Sequence, residues 1–101
     1  MSTKKLPTIT PGEILLEEFL KPMEISQYRL AKSTKLPQTR IAEIVKGQRS
    51  ITAETGLRFA RFFNTSPQFW MNLQSEFELR IAKRKLQKKV EREVEPIGTR
   101  E

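Results

Sequence analysis

The chain is punctuated for helices and for little else, and this restricts its possible folds more than any other feature. "TPGE" at residues 10–13 joins a hydroxyl cap, a proline at the first helical position and a glutamate three residues after the cap. The helix it opens is expected to run to about residue 20, burying Leu15, Leu16, Phe19 and Leu20, with Pro22 marking its end. Ser26 caps a second helix over 27–33. Pro37 opens a third, which Gly47 closes in the position favoured for a left-handed residue. Thr52 caps a fourth that reaches Phe63, where Asn64 supplies the same kind of stop, and "TSP" at 65–67 repeats the cap-plus-proline start for a fifth. The spacing therefore predicts an all-α domain of five helices over residues 10–80, preceded by a flexible N-terminal arm over 1–9.

From Arg80 the character changes. "RIAKRKLQKKVERE" holds seven Lys/Arg and few large apolar residues, and is expected to continue the fifth helix until Pro96 stops it. Residues 81–101 thus read as a basic helical extension with a frayed tail. Leu79, Ala82, Leu86 and Val90 form a thin stripe at helical spacing, expected to make a weak contact within the chain or across a dimer.

Composition narrows the chemistry. In 101 residues there is room for one domain and a modest core. The absence of cysteine and histidine removes disulfides, the usual zinc ligands, the commonest general base and the thiol nucleophile. The chain is read as neither an enzyme nor a carrier of metal or cofactor. A net charge of +7 points to a polyanionic partner, most simply nucleic acid. No apolar run is long enough to cross a bilayer, and "MSTKKLPTIT" lacks the apolar centre of a signal peptide, so a cytoplasmic location is expected.

The segment "QYRLAKSTKLPQTRIAEIVKGQRSI", residues 27–51, carries six Lys/Arg and one Glu. Its second and third helices fit a helix-turn-helix over about 26–46. Ala31 is the small residue that such a close crossing needs, Ile41 is its bulky partner, Ile44 and Val45 complete the buried stripe, and Leu36 plugs the turn. With those side chains inward, helical spacing turns Gln38, Thr39, Arg40, Glu43 and Lys46 outward. These types can hydrogen-bond base edges or phosphates: Gln suits adenine, Arg suits guanine, the Thr methyl suits thymine, and Glu accepts from cytosine. Ser26 and Gln27 begin the second helix, where backbone N–H groups and a side-chain amide can grip a phosphate. Arg29, Lys32, Lys35 and Arg49 would ring the groove with positive charge.

These segments resemble the phage-repressor-like (XRE) helix-turn-helix proteins. With "PGEILLEEFL" before the motif and "TSPQFWMNLQSEFEL" after it, the chain is similar to the HigA family of antitoxins, also known as virulence-associated protein I. The similarity covers about residues 11–82, and "SPQFWMNLQ" following "GQRSITAET" is its most particular part. The resemblance implies a five-helix lambda-repressor-like fold. It also implies binding and neutralisation of a HigB-type toxin that cleaves mRNA, dimerisation, and repression of the protein's own operon at a palindromic site. It places Gln38, Thr39, Arg40, Glu43 and Lys46 at the bases, with Ser26 and Gln27 on the backbone. The alternative within the same superfamily is a free-standing XRE regulator with no toxin partner. Four positions depart from the family pattern: Thr10 stands for His, Lys35 for a turn Gly, Gly56 for Ala and Asn64 for Gly. A left-handed Lys35 would cost about 1–2 kcal/mol, and Gly56 about 1 kcal/mol.

Two further surfaces are read from the sequence. In the fourth helix one core face takes Leu57, Ala60 and Phe63, which leaves Phe59 and Phe62 in need of another neighbour. With Phe69, Trp70, Leu73 and Phe77 of the fifth helix, they either fill the core or form a two-fold dimer seam. Glu13, Glu17 and Glu18 offer acidic surface for a basic toxin, or serve only as partners of the helix dipole.

Overall fold

The computed structural model describes residues 9–98, so most of the expected N-terminal arm and the last three residues of the tail lie outside the described residues. Among the described residues the structure is all-helical. Helix α1 comprises Pro11–Ile14, a π-helical stretch Leu15–Leu20 and Lys21–Met23; α2 is Gln27–Thr34, α3 Gln38–Val45, α4 Ala53–Phe63 and α5 Pro67–Glu93.

The local signals account for most boundaries. Thr10 and Glu13 form a reciprocal capping box, each side chain bonded to the other's backbone N–H at 3.1 and 3.0 Å. Ser26, Thr52 and Ser66 cap α2, α4 and α5 by accepting from the N–H three residues on. Lys35, Gly47 and Asn64 all take the left-handed conformation that ends a helix, at φ 62°, 81° and 59°. The strain at Lys35 is thus present, and its turn is closed by the Leu36 N–H bonded to the Ala31 carbonyl at 3.0 Å.

The end of α1 differs from the sequence expectation. The helix passes Leu20 and contains Pro22, stopping only where Glu24 turns left-handed at φ 56°. The π turns widen the hydrogen-bond register, with the Lys21 N–H reaching the Leu16 carbonyl. They also bring Leu15 and Leu20 both into the core.

Leu15, Leu30, Ile41, Ile44, Ile51, Phe59 and Trp70 are almost fully enclosed and form the core's centre. Trp70 sits within an aromatic cage, its ring centroid 4.9 Å from Phe19, 5.2 Å from Phe59, 5.7 Å from Phe63 and 4.9 Å from Phe69. Its indole N–H donates to the Thr65 hydroxyl at 2.8 Å, so its one polar atom is satisfied. Helix α1 lies so close to α3 that a Cβ on Gly12 would stand 1.8 Å from the Ile44 carbonyl oxygen.

Two expectations from the sequence do not hold in the fold. Phe59 and Trp70 are 0% exposed and belong to the protomer's own core, so neither is available to a dimer seam. Leu57, expected inside, is 59% exposed. The cause is the rotational phase of α4, whose inward face is Thr55, Gly56, Phe59 and Ala60. Gly56 fits this face for a reason: a Cβ there would meet the Met71 sulfur at 3.0 Å.

Candidate nucleic-acid interface

Helices α2 and α3 pack through buried Leu30, Ala31, Ile41 and Ile44, with buried Leu36 between them. This fixes the rotation of α3. Gln38 and Thr39 stand exposed at its N-terminal end and Lys46 at its C-terminal end. Arg40 and Glu43 are half-buried. The Nε of Arg40 is enclosed without a hydrogen-bond partner, so the inner part of the side chain lies against the protein with one donor unsatisfied. Glu43 accepts from the Arg49 Nε at 2.7 Å, tying the outer face of α3 to the loop that follows it. The pair is solvent-accessible and so contributes only about 0–1 kcal/mol to stability; its effect is on where the guanidinium sits.

At the start of α2, Ser26 is exposed and Gln27 half-buried. The Ser26 Oγ already accepts from the Arg29 N–H at 3.0 Å, leaving its hydroxyl proton to donate. Arg29, Lys32, Lys35 and Arg49 are exposed, and the Lys32 ammonium lies 5.8 Å from the Tyr28 ring centroid. The remaining expected sites divide. Phe62, Leu73 and Phe77 are half-buried and Phe69 is 36% exposed. Glu13, Glu17 and Glu18 are exposed, Glu13 within the capping box and Glu17 bonded to Lys21 at 2.9 Å. Among the described residues no group of three or more His, Cys, Asp or Glu is gathered to hold a metal, and no helix is long and apolar enough to cross a membrane.

Two supporting residues escape sequence reasoning. Arg58 donates to the Thr34 carbonyl at 3.0 Å while paired with Glu54, pinning α4 to the last turn of α2. Gln74 of α5 is 7% exposed. Its carbonyl oxygen accepts the Ile51 N–H at 2.8 Å, and its amide donates to the Ser50 Oγ at 3.3 Å and to Glu78 at 2.9 Å. A glutamine in a polar helix carries no signal of this in sequence, because its two partners in the loop lie more than twenty positions away. Gln74→Leu leaves the buried Ile51 N–H unpaired, and urea unfolding should read a loss of about 1–3 kcal/mol. An unchanged midpoint would mean that the loop finds another acceptor.

The close crossing of α2 and α3 and the polar outer edge of α3 define a helix-turn-helix protein. A helix-turn-helix family model matches residues 16–70. Virulence-associated protein I of Dichelobacter nodosus is 49% identical over 78 residues, covering 77% of this chain and 72% of that protein. Among solved structures, Pseudomonas aeruginosa antitoxin HigA with the higBA promoter is 44% identical at a TM-score of 0.87, covering 91% of this chain and 100% of that one. An addiction module antidote protein of the HigA family from Coxiella burnetii is 46% identical at a TM-score of 0.84, covering 90% of this chain and 99% of that one. The chain belongs to the helix-turn-helix family, in the branch that holds the HigA antitoxins and virulence-associated protein I.

Proposed function

We propose that the protein is the antitoxin of a HigB/HigA-type module, a DNA-binding repressor of its own operon that also binds and neutralises a cognate mRNA-cleaving toxin. The observation that carries the DNA half is the edge of α3, where Gln38, Thr39 and Lys46 are exposed while Ile41 and Ile44 anchor the helix from behind. The similarity to a HigA solved with its promoter supports the same reading. In this reading Gln38, Thr39, Arg40, Glu43 and Lys46 face the bases, Arg40 by swinging its guanidinium outward from its packed stem. Ser26, Gln27, Arg29, Lys32, Lys35 and Arg49 hold phosphates. Glu43 keeps Arg49 beside the groove until DNA competes for the guanidinium. A homodimer sets two α3 helices about 34 Å apart on a palindromic operator. The exposed acids Glu13, Glu17 and Glu18 are the candidate surface for a basic toxin.

Arg40→Ala should weaken specific binding by about 1–3 kcal/mol, read by fluorescence anisotropy at constant salt. Arg29→Ala should instead weaken all sequences alike and lower the log–log salt slope by about 0.9. Equal losses on operator and random DNA for Arg40→Ala would move that residue from the base-reading to the phosphate-holding set. For the toxin half, the neighbouring gene co-expressed with the tagged protein should yield a co-purifying small basic protein whose growth arrest is relieved. If nothing co-purifies, the protein is a regulator without a toxin.

A further inference from the structure

One face of α5 changes its chemistry along the helix. Over the body of the protein it is the inward face. Trp70 packs there on Phe19 and Phe59, Gln74 is buried against the loop after α3, and Phe77 and Ile81 are half-buried. From Lys83 to Glu93 every side chain is exposed, so about 16 Å of helix projects beyond the body at about 1.5 Å per residue. Helical spacing carries the same face onto the projecting part. Arg92 follows Gln74 by about five full turns, and Lys85 and Lys88 stand within about 40° of the same line. Where the body ends, the face passes from apolar to cationic.

We propose that Lys85, Lys88 and Arg92 form a second, sequence-independent DNA-binding surface, holding phosphates of the duplex that α3 reads. The row keeps its charge uncompensated: none of the three forms an ion pair among the described residues. Elsewhere, exposed helical cations stand four residues after an acid, as Lys21 does after Glu17 and Arg58 after Glu54. Lys88 instead has Arg84 four residues before it and Arg92 four after, and like charges so spaced weaken a helix in water. Glu91, at the edge of the row, is bonded to Gln87 at 2.8 Å. A polyanion lying along the row removes the repulsion. Beyond Ile81 no large apolar side chain interrupts the row, which suits phosphates better than the apolar centre of a protein interface.

The direction fits as well. Gln74 holds Ser50 and Ile51, next to Arg49, which the proposed function sets on a phosphate. The row leaves α5 on that same side, about 16–27 Å farther along the helix, within the roughly 34 Å of one DNA turn. The exposed Leu79, Leu86 and Val90 lie on the opposite side, so apolar contacts made there leave the row open.

The inference rests on the proposed DNA binding, and its test separates the two. Binding to operator and to random duplex is followed by fluorescence anisotropy over a series of salt concentrations. With Lys85→Gln, Lys88→Gln and Arg92→Gln combined, and the fold intact by circular dichroism, the log–log salt slope should fall by about 2.7 on both duplexes. The operator-to-random affinity ratio should stay as in the wild type. Lys85→Gln alone should lower the slope by about 0.9, and Lys83→Gln, on the far side of the helix, should leave it unchanged. A triple variant with the wild-type slope overturns the proposal and leaves operator reading by α3 in place. Equal effects of Lys83→Gln and Lys85→Gln overturn it too, since net charge rather than the row would then be acting. Tighter binding of the wild type to RNA of the same length, lost in the triple variant, overturns the assignment to DNA. A row that holds random duplex as described, in a protein with no preference for the operator, would count against the function alone.

Discussion

Trp70→Ala should lower the stability of the fold by about 3–5 kcal/mol, the range for emptying a large aromatic site in a core. The side chain is 0% exposed, four phenyl rings stand around it within 4.9–5.7 Å, and its N–H is bonded to Thr65. Its loss opens a cavity among Phe19, Phe59, Phe63 and Phe69 that rigid helices cannot close, and also orphans the Thr65 contact. Small domains hold about 5–15 kcal/mol in all, so the variant should sit close to unfolding at ambient temperature. Urea denaturation followed by circular dichroism measures it. If the midpoint does not move, the cage is not the centre of the core.

Gly12→Ala should be destabilising by about 3 kcal/mol or more, at or beyond the upper end for overpacked sites. Helix propensity predicts the opposite sign, since alanine is better than glycine inside a helix by about 1 kcal/mol. The deciding fact is the neighbour. The new Cβ would stand 1.8 Å from the Ile44 oxygen and 2.9 Å from the Val45 Cα, both backbone atoms of α3 that no rotamer change can remove. Either α1 detaches or α3 shifts, by on the order of 1 Å to recover normal contact distance. Because α3 carries the proposed base-reading edge, affinity per folded molecule should fall together with stability. A variant more stable than the wild type would show that α1 and α3 are not seated this closely.

The parts of this account that the sequence revealed are those governed by local chemistry. Hydroxyl caps at Thr10, Ser26, Thr52 and Ser66, and left-handed stops at Lys35, Gly47 and Asn64, act within a few residues, and the helix boundaries follow them. The inward set Ala31, Leu36, Ile41 and Ile44 was equally legible, because periodicity fixes the face once the crossing is recognised. What escaped depends on distant neighbours. The phase of α4 could not be decided from a segment apolar on several sides, and so Phe59 and Leu57 exchanged places. Pro22 suggested a helix end, and only the π turns of α1 explain why it is passed. The roles of Gln74 and Arg58 depend on contacts across twenty-three or more positions. Within the candidate interface, the outward direction of Gln38 and Thr39 was foreseen. The packed stem of Arg40 and the pairing of Glu43 with Arg49 were not.

Hydroxyl-radical footprinting of the DNA upstream of the protein's own gene decides whether α3 reads a groove. The wild type should protect two half-sites on one face of the duplex with centres about 34 Å apart, and the Gln38→Ala/Thr39→Ala variant, folded as judged by its unfolding midpoint, should lose that pattern while keeping weak non-specific binding. Uniform protection without discrete half-sites, or a footprint that the double variant leaves intact, would contradict groove reading by the exposed edge of α3.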